Sequence, residues 1–173
     1  MKKISTFLAA IVMIIISSCE GPQGPPGFDG LDGQDGVIAE VFELKNVNFS
    51  YNTTDGYTIF RVLDPKIFDS DIVLIYRMTG TIDASTPIWQ LIPRTLFLSQ
   101  GELDYDFDFS KEDFTIYAGG TYDLSLTPQY INNQTFRIVI VPGSFSASIN
   151  KNNYADVMAA LNVKESQIQR INF

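Results

Sequence analysis

Carboxylates at every second position are the most chemically patterned feature of the chain: Glu102-Leu103-Asp104-Tyr105-Asp106-Phe107-Asp108-Phe109. On a β-strand, Glu102, Asp104, Asp106 and Asp108 share one face, and Leu103, Tyr105, Phe107 and Phe109 share the other. Carboxylates two residues apart stand about 6.5–7 Å from each other along a strand. They repel, so the row must be solvated, be paired with cations on neighbouring strands, or hold a hard metal ion. Calcium is the metal this chemistry would take, with oxygens at about 2.3–2.6 Å, and Asp104, Asp106 and Asp108 are its candidate ligands. A flat strand cannot focus three carboxylates on one ion, so a loop acid such as Glu112 or Asp113 would have to complete the site. The Asp104–Asp106 spacing also falls within the range of about 5–9.5 Å used by carboxylate glycosidases. Any such pair on a strand does the same.

Three arginines stand inside apolar runs: Ile59-Phe60-Arg61-Val62, Ile75-Tyr76-Arg77-Met78 and Phe136-Arg137-Ile138-Val139. On strands they are expected to project from the outer sheet face with their stems along neighbouring side chains. Opposite-charge pairs across strands contribute roughly 0.2–1 kcal/mol each. Arg61, Arg77, Arg137, Asp104 and Asp106 therefore form the candidate interaction face, which is either self-satisfied or a docking surface for a protein or glycan. Tyr51-Asn52, the stretch from Tyr130 to Gln134, and Asn152-Asn153-Tyr154 put aromatics beside amides near predicted loops. That chemistry suits sugars, although Asn is also a turn residue in its own right. Trp89, in a predicted strand, reads as core.

Composition narrows the field. The chain has 173 residues, 12 Lys+Arg against 20 Asp+Glu, no His and one Cys. Without His there is no Ser-His-Asp or Cys-His triad and no imidazole base. One Cys excludes an intrachain disulfide and a Cys-cluster metal site. A formal net charge of −8 argues against nucleic acid as a partner, because phosphate binders need a basic face. No cofactor is implied.

The elements that must position these residues are mostly strands. β-Branched and aromatic runs separated by turn residues predict strands over 38–44, 57–63, 72–81, 88–98, 102–109, 114–117, 122–126 and 136–141. Ser99-Gln100-Gly101 reads as a tight hairpin, and Pro93 marks an edge or a bulge. Ile72-Val73-Leu74-Ile75-Tyr76 is apolar on both faces and should be a central strand. Residues 154–161 predict the one convincing helix: Asn153 is its cap and Asp156 completes a box-like start. Tyr154, Val157, Met158 and Leu161 form its apolar stripe, and Asn162 is its left-handed end. Met158 is core rather than ligand, and a last strand is expected within 167–173. The fold class is mainly β: a single antiparallel sandwich-like domain over 37–173 with one short C-terminal helix.

The N-terminus is an address. Met1-Lys2-Lys3 precedes an apolar run from Phe7 to Ile16, too short for the roughly 20 residues of a membrane-spanning helix and right for a signal peptide. Ser17-Ser18 then lead into Cys19. Two residues on, Gly21, Gly24, Gly27, Gly30, Gly33 and Gly36 recur at every third position, with Pro22, Pro25 and Pro26 among them. This is the collagen period. It reads either as an extended, hydrated spacer of up to about 50 Å or as a stalk that winds three copies into a homotrimer.

Ile16-Ser17-Ser18-Cys19 resembles the lipobox of bacterial lipoproteins. With the Gly-X-Y triplets and the small β domain behind it, the chain resembles the collagen-like lipoproteins of bacterial cell envelopes. The resemblance implies cleavage between Ser18 and Cys19, diacylglycerol on the Cys19 sulfur and a further acyl chain on the new amino group. It also implies an outer-membrane anchor, and Glu20 is not the Asp that retains many lipoproteins at the inner membrane. The division is then a cleaved signal over 1–18, a lipidated Cys and stalk over 19–36, and the domain over 37–173. Cleavage removes Lys2 and Lys3 and no acid, taking the net charge from −8 to −10, so anionic head groups would repel the domain. The expected function is a lipid-anchored envelope protein, not an enzyme, that presents its β domain for a structural or protein-interaction role. The alternatives are a carbohydrate-binding surface lipoprotein and a carboxylate-dependent glycoside hydrolase.

Overall fold

The computed structural model describes residues 40–146 and 150–172. The signal peptide, Cys19 and the Gly-X-Y segment lie outside them. Ten strands are assigned: β1 (Glu40–Val47), β2 (Ser50–Asn52), β3 (Gly56–Val62), β4 (Ile72–Asp83), β5 (Thr86–Leu91), β6 (Arg94–Leu98), β7 (Gly101–Phe109), β8 (Asp113–Gly120), β9 (Gln134–Val141) and β10 (Gln169–Asn172). They form two five-stranded sheets, ordered β10-β1-β9-β4-β5 and β2-β3-β8-β7-β6. The sheets face each other across a buried layer in which Phe42 meets Phe114 and Phe136 meets Phe49 and Tyr105. The chain is the mainly β sandwich that its pattern predicts.

Pairing is antiparallel throughout except between β1 and β10, which run parallel. Ile72–Tyr76 opens β4, an interior strand between β9 and β5. The strand buried along its whole length is β9, at the centre of its sheet. No helix among the described residues is long and apolar enough to cross a membrane.

Two predicted strands depart from the pattern reading, and β2 and the helical turn at Gly143–Ser146 fall outside every predicted element. The run 88–98 is not one strand: it breaks at Ile92-Pro93, a cis peptide, into β5 on the edge of one sheet and β6 on the edge of the other. Proline cannot donate to a ladder, so the chain leaves one sheet there and enters the second. Residues 122–126 are not a strand either. Asp123 accepts the Ser125 amide and caps a 3-10 turn over Leu124–Leu126, and a second turn follows over Pro128–Tyr130.

The turns follow their chemistry. Gly101 closes the β6–β7 hairpin at φ +140°, where a Cβ would also meet Thr121 Oγ1 at 2.6 Å. Asn52 Oδ1 accepts the amides of Thr54 and Asp55, and Gly56 at φ +74° starts β3. After a helical turn, α1 (Gly143–Ser146), comes the predicted helix α2 (Tyr154–Ala160). Asn153 Oδ1 accepts the amides of Ala155 and Asp156, and Asn162 is left-handed at φ 52°. The reciprocal arm of the cap is different: the Asn153 amide donates to Asn150 O rather than to Asp156.

Helix α2 lies on the outer face of the first sheet. Val157 and Met158 pack with Val41, Leu74, Tyr76 and Val139 in a second buried cluster. Among the described residues, one sheet is thus covered on both faces and the other on one.

Candidate functional site

The acidic strand is placed as its alternation requires. Leu103 and Tyr105 of β7 are buried between the sheets, and Glu102, Asp104, Asp106 and Asp108 lie on the open face. Cross-strand partners on that face are Phe97 for Glu102, Thr95 and Gly119 for Asp104, Tyr117 for Asp106, and Thr115 for Asp108. No arginine stands opposite any of them. The Tyr117 hydroxyl donates to Asp108 Oδ2 at 2.8 Å, and Asp106 Oδ1 accepts the Phe107 amide.

The two loop acids that could have completed a calcium site are engaged elsewhere. Glu112 pairs with Lys66 at 2.6 Å, and Asp113 accepts from Ser110 Oγ at 2.6 Å. Among the described residues no group of three acidic, His or Cys side chains is placed to hold a metal ion.

The three arginines do not join this face, and two of them depart from the outer-face expectation. Arg61 pairs in register with Phe114, on the inner side of its sheet. There it lines a cleft of about 260 Å³ with Glu40, Asp64 and Gln169. Arg77 pairs with Phe136 and is buried between the sheets. Its Nε donates to Gln134 Oε1 at 2.9 Å, and its guanidinium lies 4.6 Å from the Tyr105 ring centre. Arg137 does project from the outer face of the first sheet, but only 1% of its surface is exposed because the C-terminal segment covers it.

Arg137 is the centre of a buried ionic cluster. Its Nη2 donates to Glu43 and its Nη1 to the Tyr154 hydroxyl. Both terminal nitrogens reach Glu165, at 2.6 and 3.0 Å, and the Trp89 ring lies 4.2 Å beneath the guanidinium. Lys45 and Arg170 stand 3.9 and 3.8 Å from Glu43. Trp89 is therefore a packing residue, as its strand position suggested. The cluster clamps the C-terminal layer onto the sheet.

Burial pushes the Tyr76 and Tyr154 hydroxyls up to about 12. Burial alone would also raise the Glu165 carboxyl, but the hydrogen bond and charge of Arg137 outweigh it and hold the group below its ordinary value. A carboxyl depressed in the folded state contributes stability above its unfolded pKa of about 4.3 and loses that contribution as pH falls through the folded value. The fall in urea midpoint between about pH 7 and about pH 3 is expected to be smaller in Glu165→Gln than in the unaltered chain. Equal falls would place the acid sensitivity elsewhere.

Two surfaces remain as sites. The first is the open face of the second sheet. Alongside the carboxylates of β7 it carries Phe60 and Val62 of β3, 59% and 67% exposed, with Phe60, Thr115 and Asp108 in one cross-strand row.

The second is a groove of about 620 Å³ at one end of that sheet, lined by Tyr51, Tyr57, Gly119, Tyr122, Asp123 and Ser125 among others. Tyr51 is the only one of these that the aromatic-amide reading had marked. Tyr57 falls in a predicted strand with no ligand role, and Tyr122, Asp123 and Ser125 fall in a predicted strand that does not form. The other aromatics marked in that way have structural duties. The Tyr130 ring packs against the core with the Arg77 guanidinium 5.8 Å from its centre, Asn133 is a left-handed turn residue, and Tyr154 seals the Arg137 cluster. No family model, no curated protein and no solved structure matches this chain.

Proposed function

We propose that this is a lipid-anchored protein of the bacterial outer membrane. In this reading Cys19 carries the acyl chains, the Gly-X-Y segment is an extended spacer, and the sandwich docks a protein partner of the envelope through the open face of its second sheet. The observation that carries this reading is the asymmetry of the two sheets. The first has its outer face covered by α2 and the segment after it. The second leaves Phe60 and Val62 in water beside a row of carboxylates.

An apolar strip flanked by one sign of charge fits a partner face of apolar residues rimmed by Lys and Arg. The reading is of a binding protein rather than a hydrolase. A glycosidase acid needs an apolar pocket that raises its pKa, whereas Asp106 and Asp108 are exposed and Asp104 half-buried.

Crosslinking and mass spectrometry of the native lipidated protein test this. A partner crosslinked through β3, β7 or β8 is expected, with recovery falling about tenfold, a change of about 1.4 kcal/mol, in Phe60→Asp and in Asp106→Lys. Both side chains are exposed, so both variants should fold. Recovery unchanged by either substitution, or self-crosslinks alone, would sink the docking reading.

A further inference from the structure

We propose that the groove between β2 and the 121–125 segment binds a neutral carbohydrate chain. It is separate from the docking face. Tyr51, Tyr57 and Ala118 lie in one cross-strand row, and Phe60, Thr115 and Asp108 lie in another, on the opposite side of the sheet.

The groove exists because β8 outruns one of its neighbours. Its ladder with β7 continues to Gly120, whereas its ladder with β3 ends at Ala118. On the β7 side the end is sealed: the Thr121 amide donates to Glu102 O, and the Glu102 amide donates to Thr121 Oγ1, both at 3.0 Å. On the β3 side, Gly119 and Gly120 present main chain to the groove past the last paired residue. A side chain at Gly120 would strike Glu102 O at 2.5 Å. One at Gly119 would meet nothing within 4 Å. Packing therefore does not require glycine at 119, and glycine weakens a strand. The missing side chain at 119 belongs to the open face, where Gly119 stands opposite Asp104, so this segment lines the groove with main chain alone.

The walls supply the remaining chemistry. Tyr51 is 64% exposed and lies against Tyr57 with ring centres 5.0 Å apart. An aromatic face carries negative quadrupole charge that attracts polarised C–H groups, such as those on the flat side of a sugar ring. On the opposite wall the Tyr122 hydroxyl is tied to Thr127 Oγ1 at 2.7 Å, which fixes the ring. Asp123 stands exposed at the rim. The Ser125 amide and hydroxyl hold its carboxyl below the ordinary value. An ionised carboxylate has about four acceptor positions, and bonds from hydroxyls to such an oxygen are short and strong.

Aromatic faces, a carboxylate and open main-chain groups in one groove recognise hydroxyls above a C–H surface, which is a pyranose. The volume lies within the range of about 300–1,000 Å³ that ligand sites occupy. Asp123 and the negative charge of the whole chain disfavour uronic acids and sulfated sugars, hence a neutral chain.

The test uses the full-length lipidated protein in a polyoxyethylene detergent, which has no sugar head group. Neutral hexasaccharides of glucose, mannose, galactose and xylose are titrated calorimetrically, beside a hexasaccharide of galacturonic acid. At least one neutral chain is expected to bind. Tyr51→Ala and Asp123→Asn should each weaken it by about tenfold or more, with Phe60→Asp unchanged. Asn keeps the cap of the 3-10 turn, and Tyr51 is largely in water, so urea midpoints should stay put in both groove variants. Failure of every neutral chain to bind, binding that survives both groove substitutions, or tighter binding of the uronic acid would each overturn the proposal. Binding lost on Phe60→Asp alone would move the sugar to the docking face.

Discussion

Cys19→Ala is expected to leave the membrane fraction entirely, to incorporate no labelled fatty acid, and to partition into the aqueous phase on detergent cloud-point separation. The size of the effect follows from hydrocarbon burial. Each methylene in a bilayer contributes about 0.8 kcal/mol; a single myristoyl chain holds only marginally, and two or more hold firmly. Nothing among the described residues replaces that term. The net charge is −8 before cleavage, anionic lipids repel it, and no described helix is long and apolar enough to span a bilayer. The readout is all-or-none. Retention in the detergent phase of Cys19→Ala protein that has lost residues 1–18 would refute the lipid anchor, and with it the display geometry proposed above.

The second large effect concerns the fold. Arg137→Ala is expected to cost about 3–5 kcal/mol, the usual consequence of removing one partner from a buried ion pair. That is a large part of the roughly 5–15 kcal/mol that holds a domain together. Glu43 is itself buried and would be left with only Lys45 and Arg170, both near the 4 Å limit of an ion pair. Trp89 would lose the cation over its ring.

The double variant Glu43→Leu/Arg137→Leu separates the charge effect from the packing effect. Well-packed apolar replacements of a buried pair are often neutral or better, so most of the lost stability should return. Urea denaturation of the three proteins decides the matter. Equal stability of the single and double variants would mean that the cluster acts by shape rather than by charge.

The strands whose facing could be read from sequence are those with one wet face. Between Glu102 and Phe109 the alternation of acid and apolar residues reports the pleat directly, and β7 has both the extent and the facing that it predicts. Where both faces are covered, alternation carries no signal. Ile75-Tyr76-Arg77 lies in such a stretch, so nothing local tells that Arg77 faces Phe136 between the sheets while Tyr76 faces α2.

The Arg137 cluster was out of reach for a different reason. Its partners Glu43 and Glu165 lie 94 and 28 residues away, and only the sheet order brings them together. Tyr122-Asp123-Leu124 alternates like a strand, yet Asp123 bonds to the amide two residues on and turns the chain. That misplacement hid the groove, because four of its lining residues, Tyr122, Asp123, Leu124 and Ser125, fall in a predicted strand that does not form. Pro93 was a correct punctuation mark read too weakly: it separates two sheets rather than bending one strand.

The placement of β1 has a mechanical consequence. It is the first described strand, and it is flanked on both sides, by β9 running against it and β10 running with it. A pull applied at Glu40 along the axis of β1 would load both ladders in shear. Their hydrogen bonds then share the force and must yield together, rather than opening one after another as in peeling. A domain tethered through such a strand resists being dragged open by flow or by a moving neighbour. The strands of the second sheet, with the docking face and the groove, lie off the line of that load.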